Sequence, residues 1–214
     1  MHKIDMQTWP RRTHFERYST FAHPHFSMCA NVDLTAFYPA VQRRGLSLTV
    51  AITFVLAHAA NAIPAFRYRI RSGEVVEHAV VHPSITILTD EDLFSYCTFE
   101  YTKDFSMFAA RAAQKIAHAK ENPTLEDEPG QDDLLFMTTI PWVTFTSFMH
   151  ALPSHPADSI PRIAWGKFFE QDAALKMPLN VQVHHALIDG LHVGRFYAKV
   201  QDDLDTPDLV LGTA

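Results

Sequence analysis

The pattern of apolar and polar positions along this chain separates helical stretches from extended ones. Leu48 to Asn61, LTVAITFVLAHAAN, is apolar nearly all round, which predicts a helix buried on every side and ended ahead of Pro64. Asp104 to Lys120 sets Phe105, Phe108, Ala109, Ala112, Ile116 and Ala119 on roughly one face, with Asp104 as its cap, and predicts an amphipathic helix. A shorter helix is expected from Asp33-Leu34-Thr35 through about Arg43, and a last one over about His192 to Leu204. Trp9 to Phe15 reads as an opening helical turn, with Thr8 as cap and Pro10 tolerated near the start.

Period-two alternation marks the extended segments. Tyr18 to Asn31 predicts a strand broken at Pro24, with Tyr18 at its start. Ala65 to Ile70 and Glu74 to Ala79, joined by Ser72-Gly73, read as a hairpin. Further strands are expected over His82–Leu88, Phe94–Phe99, Leu134–Ile140 continued by Pro141–Phe148, Ile163–Phe169 and Met177–Leu187. The acidic stretch Glu121 to Asp133, ENPTLEDEPGQDD, cannot bury itself and is expected to be a flexible loop, and the tail TPDLVLGTA is expected to fray.

Composition narrows the classes. At 214 residues and 47% hydrophobic content the chain can bury a sizeable core, and one domain over residues 1–214 is the expectation. A net charge of −6 argues against a nucleic-acid partner, which requires a basic face. The longest apolar stretch is interrupted by Thr49, Thr53, His58 and Asn61 and falls short of the ~18 apolar residues of a membrane span. The N-terminus has no apolar run after its charges, and two cysteines, Cys29 and Cys97, make no disulfide framework. A cytoplasmic protein without membrane contact is expected.

The chemistry concentrates in VQVHHALIDGLHVGR, Val181 to Arg195. An alternating apolar run ends in two adjacent histidines, followed after three residues by Asp189 and Gly190, which is the layout of a strand that turns into a helix. Neighbouring strand side chains point to opposite faces, so His184 and His185 cannot share one job: one faces the packed side and the other can face a pocket. A neutral imidazole suits proton removal from a hydroxyl near pH 7, which makes a strand-end histidine a candidate general base. Asp189 could hydrogen-bond the ring or pair with a cation elsewhere, and spacing leaves both open. His184, His185, Asp189 and His192 are also possible metal ligands, but adjacent strand residues diverge and cysteine is nearly absent, so no metal is expected. Satisfied polar residues at a turn would be the ordinary reading of the motif alone.

That segment resembles the HHxxxDG signature of the chloramphenicol acetyltransferase superfamily, in the form found in chloramphenicol acetyltransferases themselves. The N-terminal W-x-R-R-x-H-F run at Trp9 to Phe15 and the P-W-V-x-F-x-S-F run at Pro141 to Phe148 are similar to segments of the same family, and the likeness extends over essentially the whole chain. Condensation domains of peptide synthetases, roughly twice as long, and the acyltransferase domains of 2-oxo-acid dehydrogenase complexes, with their lipoyl or subunit-binding modules, fit less well.

The resemblance implies an α/β two-layer sandwich with a mixed, mostly antiparallel sheet flanked by helices. It implies acetyl transfer from acetyl-CoA to the hydroxyl of chloramphenicol in a ternary complex, without a metal. His185 would be the base, Ser147 the hydrogen-bond donor to the developing oxyanion, and Arg11 the partner of Asp189 in a structural ion pair. Tyr18, Phe94 and Phe136 would line the acceptor pocket, and Lys167 and Phe168 would contact the coenzyme. It also implies a homotrimer with active sites at subunit interfaces, so that pocket residues serve a neighbour's His185. Four positions depart from the family: Ala164 stands where a threonine helps a water contact the transition state, Ser47 and Thr49 replace a lysine and a tyrosine near the adenine, and Phe168 replaces a second adenine-contacting tyrosine. Alternatives are the same chemistry on another hydrophobic alcohol and a noncatalytic binding scaffold.

Overall fold

Alternating strand residues build a sheet with two unlike faces, and this contrast organises the molecule. The computed structural model describes residues 1–90, 92–153 and 158–213. In chain order it comprises β1 (His2–Lys3), α1 (Arg12–Tyr18), β2 (His25–Asp33), α2 (Phe37–Arg43), α3 (Leu48–Asn61), a 3-10 turn (Pro64–Arg67), β3 (Tyr68–Arg71), β4 (Glu74–Glu77), β5 (His82–Leu88), β6 (Phe94–Thr98), α4 (Phe105–Glu121), β7 (Leu134–Ile140), β8 (Arg162–Gly166), β9 (Phe169–Gln171), β10 (Ala174–His184), α5 (Gly190–Asp205) and α6 (Pro207–Val210).

The main sheet runs β2-β10-β8-β7-β5-β6, with β9 pairing β10; a small antiparallel sheet runs β1-β4-β3. Within the main sheet the β5-β7 and β7-β8 pairs are parallel and the others antiparallel, the mixed and mostly antiparallel arrangement expected. Registers line up Cys97, Ile85, Met137, Ile163, Val181 and Met28 in one row across six strands. Cys97, Ile85, Met137, Ile163 and Val181 join α3, α4 and α5 in one core with Phe54, Phe108 and Phe196. Burial of this face supplies the main driving force, at about 25 cal/mol per Å² of apolar surface.

One residue along, the row reads Thr98, Ser84, Phe136, Arg162, Gln182 and Ser27, and the next reads Tyr96, Thr86, Thr138, Ala164, Asn180 and Cys29. This second face points away from the helical layer, yet Ser84, Arg162, Gln182, Ala164 and Asn180 on it are all buried.

Local chemistry sets the element boundaries. Ser47 caps α3 by accepting from the Val50 N–H at 3.4 Å, and Asp104 caps α4 by accepting from the Met107 N–H at 2.9 Å. The β3–β4 turn puts Ser72 (φ 50) and Gly73 (φ 79) in the left-handed region, the geometry a two-residue hairpin needs. Fully buried Arg69 fastens the small sheet to the main one by donating to the carbonyls of Phe66, Tyr68, Asp132 and Leu134.

Three expectations are corrected. Tyr18 closes helix α1 instead of opening a strand, because the chain remains helical from Arg12 and becomes extended only past Pro24. Pro141–Phe148 does not continue β7: it leaves the sheet at Pro141, whose ring cannot donate to a ladder, and crosses the second face as irregular chain. The tail does not fray over its described part. Leu211 is buried, and Arg44 donates to the carbonyls of Leu211 and Gly212 at 3.1 and 2.9 Å; Ala214 lies outside the described residues. The acidic loop is exposed and irregular, and its Thr124 carbonyl accepts from the Tyr96 N–H at the sheet edge at 2.8 Å.

Candidate active site

His184 is the last residue of β10 and His185 the first of the turn that follows, so the two rings diverge. His184 lies on the second face, buried beside His25, with ring centroids 5.1 Å apart. Its Nδ1 accepts from the Ala186 N–H at 3.2 Å, and burial pulls its imidazole down to about 4, which keeps it neutral.

His185 is half-buried and tethered on three sides. Its N–H donates to the Pro24 carbonyl at 2.8 Å, its own carbonyl accepts from Arg11 Nη2 at 3.0 Å, and its Nδ1 lies 3.1 Å from the Ile188 carbonyl. A carbonyl only accepts, so Nδ1 carries the proton, and in the neutral ring Nε2 keeps its lone pair. Among the described residues nothing hydrogen-bonds Nε2. Tyr18 stacks on the ring at 4.0 Å and Phe26 meets it edge-on at 4.9 Å, which leaves the imidazole little freedom to rotate.

Asp189 and Arg11, far apart in sequence, form an ion pair through Oδ2 and Nη1, with side chains 30% and 12% exposed. The same carboxylate caps α5: Oδ1 accepts from the Leu191 N–H at 3.1 Å, and the His192 ring completes a capping box. Burial pushes the Asp189 carboxyl up, but the Arg11 hydrogen bond, the His192 charge and the Arg11 charge together hold it below the usual carboxylate range. His192 is therefore engaged in the cap, and among the described residues no cluster of three or more His, Cys, Asp or Glu has metal-binding geometry.

The other candidates lie elsewhere. Phe136 sits on the second face of β7 with the Arg162 guanidinium 5.2 Å from its ring centroid. Phe94 is exposed on β6, four strands from β10, or about 19 Å at ~4.8 Å per strand. Within one chain it cannot share an acceptor with His185. Lys167 is exposed just past β8, and half-buried Phe168 packs on Tyr38 with centroids 5.1 Å apart. Ser147 is exposed in the irregular crossing and makes no hydrogen bond among the described residues. Ala164 is fully buried in β8, and the Ser47 hydroxyl is committed to its cap.

Sequence reasoning missed two groups. Phe26 packs on His185; inside the predicted strand it carried no signal beyond apolar alternation. Thr138 lies opposite Ala164 on the second face, its hydroxyl 2.7 Å from that of Thr86. Nothing in a lone strand threonine signals that position before the register is known. A cavity of about 830 Å³ opens between β6, α4 and the acidic loop, lined by Arg111, Lys115, His118 and Asp127, and none of the candidate residues borders it.

Comparison with known proteins decides the family. The model of the family described as chloramphenicol acetyltransferase matches residues 1–201. The chain belongs to the chloramphenicol acetyltransferase family. It is 32% identical over 203 residues to a chloramphenicol acetyltransferase of Klebsiella sp, covering 94% of this chain and 93% of that protein. It is also 32% identical over 207 residues to one of Streptomyces acrimycini, covering 95% and 94%. A solved chloramphenicol acetyltransferase structure superposes with a TM-score of 0.86 at 27% identity, over 95% of this chain and 100% of that one. The dihydrolipoamide acetyltransferase of Azotobacter vinelandii, at 21% identity and a TM-score of 0.67 over 93% and 88% of the two chains, shares the fold. Membership of this family makes the chain an acyltransferase and implies acetyl-CoA as cosubstrate. No described helix is long and apolar enough to cross a membrane.

Proposed function

We propose that the chain transfers the acetyl group of acetyl-CoA directly to a hydroxyl of chloramphenicol, with His185 as general base. The observation that carries this reading is the tethered, half-exposed His185, whose protonated Nδ1 faces the Ile188 carbonyl and whose Nε2 is free of partners among the described residues. Nε2 takes the acceptor's hydroxyl proton while the oxygen attacks the thioester carbonyl carbon. The tetrahedral intermediate collapses, the C–S bond breaks, and the imidazolium returns its proton to the departing CoA thiolate. No acyl-enzyme forms. Arg11 and Asp189 fix the turn that carries the base, and Tyr18 limits its rotation.

The oxyanion needs a donor. Family resemblance points to Ser147, and its neighbour Phe148 accepts from Ser27 Oγ, two residues from the His25–His184 pair at the end of β10 that leads into His185. Ser147→Ala should lose turnover ~10²-fold or more, and wild-type turnover in that variant would remove Ser147 from this role.

The distance of Phe94 from β10 supports a site shared between chains, in a homotrimer where Phe94 and Phe136 face a neighbour's His185. Lys167 is proposed to meet a coenzyme phosphate and Phe168 its adenine.

The test is release of free thiol from acetyl-CoA with chloramphenicol and, in parallel, with a panel of hydrophobic alcohols. Wild-type enzyme should release thiol with chloramphenicol, and His185→Ala should lose that release while keeping its denaturation midpoint. Wild-type-like release by His185→Ala would end the assignment of the base.

A further inference from the structure

The irregular crossing after β7 is stitched onto the second face at several points along its length. The Val143 carbonyl accepts from the Lys167 N–H at 3.0 Å, and Phe145 lies over Gly166 and Pro178. The Phe148 carbonyl accepts from Ser27 Oγ at 3.0 Å, and the His150 N–H donates to Gln182 Oε1 at 2.8 Å. This path carries His150 over the row in which Gln182, Arg162 and Phe136 are cross-strand neighbours.

The His150 ring packs edge-on against Phe148, with centroids 4.8 Å apart. Both its nitrogens are buried and have no hydrogen-bond partner among the described residues. Asn180 Nδ2 and Ser84 Oγ, on the same face, share that condition. A buried polar atom left unpaired is costly, and three such residues on one sheet face point to a partner that arrives from outside the chain.

The identity of that partner follows from charge. Burial, and then the Arg162 charge, pull the His150 imidazole down to about 4, so near neutrality it offers one N–H donor and one lone pair. Arg162 is already taken up by Asp158, through Oδ1 at 2.8 Å and Oδ2 at 2.6 Å, and by the Ile160 carbonyl at 3.2 Å. Along the row of Gln182, Arg162 and Phe136 over which His150 lies, the described residues therefore offer no free charge to an ionic group.

Resting on the acyl-transfer reading above, we infer that His150 is a specificity-determining residue of the acceptor pocket. It binds a neutral hydrogen-bonding group, a second hydroxyl or an amide, on an acceptor whose apolar part lies against Phe136. The preferred acceptors are uncharged alcohols bearing at least one further polar group, as opposed to simple hydrophobic alcohols.

The experiment compares the full-length wild type with His150→Leu and His150→Gln. Each is assayed by thiol release with chloramphenicol and with 3-phenylpropan-1-ol, which has one hydroxyl only, and chloramphenicol binding is followed by calorimetry. His150→Leu should raise KM and Kd for chloramphenicol about tenfold, with the loss falling on KM and not on kcat. It should leave KM for 3-phenylpropan-1-ol within twofold, and His150→Gln should recover part of the loss. Oligomeric state and denaturation midpoint are read in parallel. Chloramphenicol KM and Kd within twofold of wild type overturn the inference; if the assembly also weakens, the partner of His150 is a neighbouring chain. A wild-type protein that binds chloramphenicol with His150-dependent affinity but releases no thiol would defeat the catalytic reading and leave the subsite standing.

Discussion

Replacing Asp189 by asparagine isolates the charge of the Arg11–Asp189 pair from the other work of that side chain. Asparagine keeps the volume and an oxygen that can still accept from the Leu191 N–H, so the cap on α5 survives. What is lost is the countercharge to a guanidinium only 12% exposed, whose Nε already lacks a partner and whose remaining contact is the His185 carbonyl. An exposed ion pair contributes about 0.5 kcal/mol and a fully buried one costs roughly 3–5 kcal/mol to break from one side. With partners 12% and 30% exposed, the expected loss is about 2 kcal/mol. Asp189→Ala removes the cap as well and should cost about 1 kcal/mol more. Because Arg11 also holds the carbonyl of His185, Arg11→Lys should fail to rescue: an ammonium presents no fork to span both acceptors. Urea denaturation with constant m values reads the stability change, and thiol release reads the base, where a drop of tenfold or more is expected. An Asp189→Asn enzyme as stable and as active as wild type would refute the bracing argument. So would a double-mutant cycle with Arg11→Met whose coupling lies within error of zero.

Other expectations concern the second face and its supports. A Cβ at Gly166 would stand 2.8 Å from both Phe145 and Pro178, so Gly166→Ala should cost about 1–3 kcal/mol and displace the crossing, visible as a lower urea midpoint and a raised acceptor KM. His150 and His184 both have pKa values of about 4 in the folded protein, below the ~6.5 of an unfolded chain, chiefly through burial. The unfolded state therefore binds the extra protons first. Their contribution to stability is complete above about pH 6.5 and is lost as pH falls through about 4, up to about 3 kcal/mol each. Urea midpoints measured across this window should fall less steeply in His150→Leu; an unchanged slope would contradict the burial argument. Arg69→Met should leave the four backbone carbonyls around it short of a donor and lower stability by about 3 kcal/mol or more, read as a fall in Tm; wild-type Tm would contradict the fastening role.

How much of this was legible in the chain depended on how local the cause was. The bounds of α3 and β5 follow directly from residue pattern, because an all-round apolar run and a proline stop, or a short alternating run, are decided within their own windows. Pro141 to Phe148 alternates as well as any strand, but β8, the ladder partner of β7, ends at Gly166, opposite Ile140, and Pro141 has no N–H to carry pairing on, so tertiary context overrode pattern. The tail looked free because its anchor, Arg44, is remote in sequence. The site divides in the same way. The strand-turn-helix carrying His185 was readable locally, whereas the pairing of Asp189 with Arg11 came through family resemblance and not through spacing. The second-face rows exist only once strand register is known, and for that reason Thr138 and His150 carried no signal in the sequence.

The three tethers on His185 come from its own turn, from Arg11 just ahead of α1 and from the chain just ahead of β2, and none from the stitched crossing or the second face of β5, β7 and β8. On the reading proposed above, the nitrogen that takes the proton is therefore held by contacts separate from those that build the acceptor surface. Side chains at positions 84, 136, 150 and 180 can be exchanged to redirect the enzyme toward new alcohols while the proton-abstracting unit stays intact, which makes this face the place to begin a library.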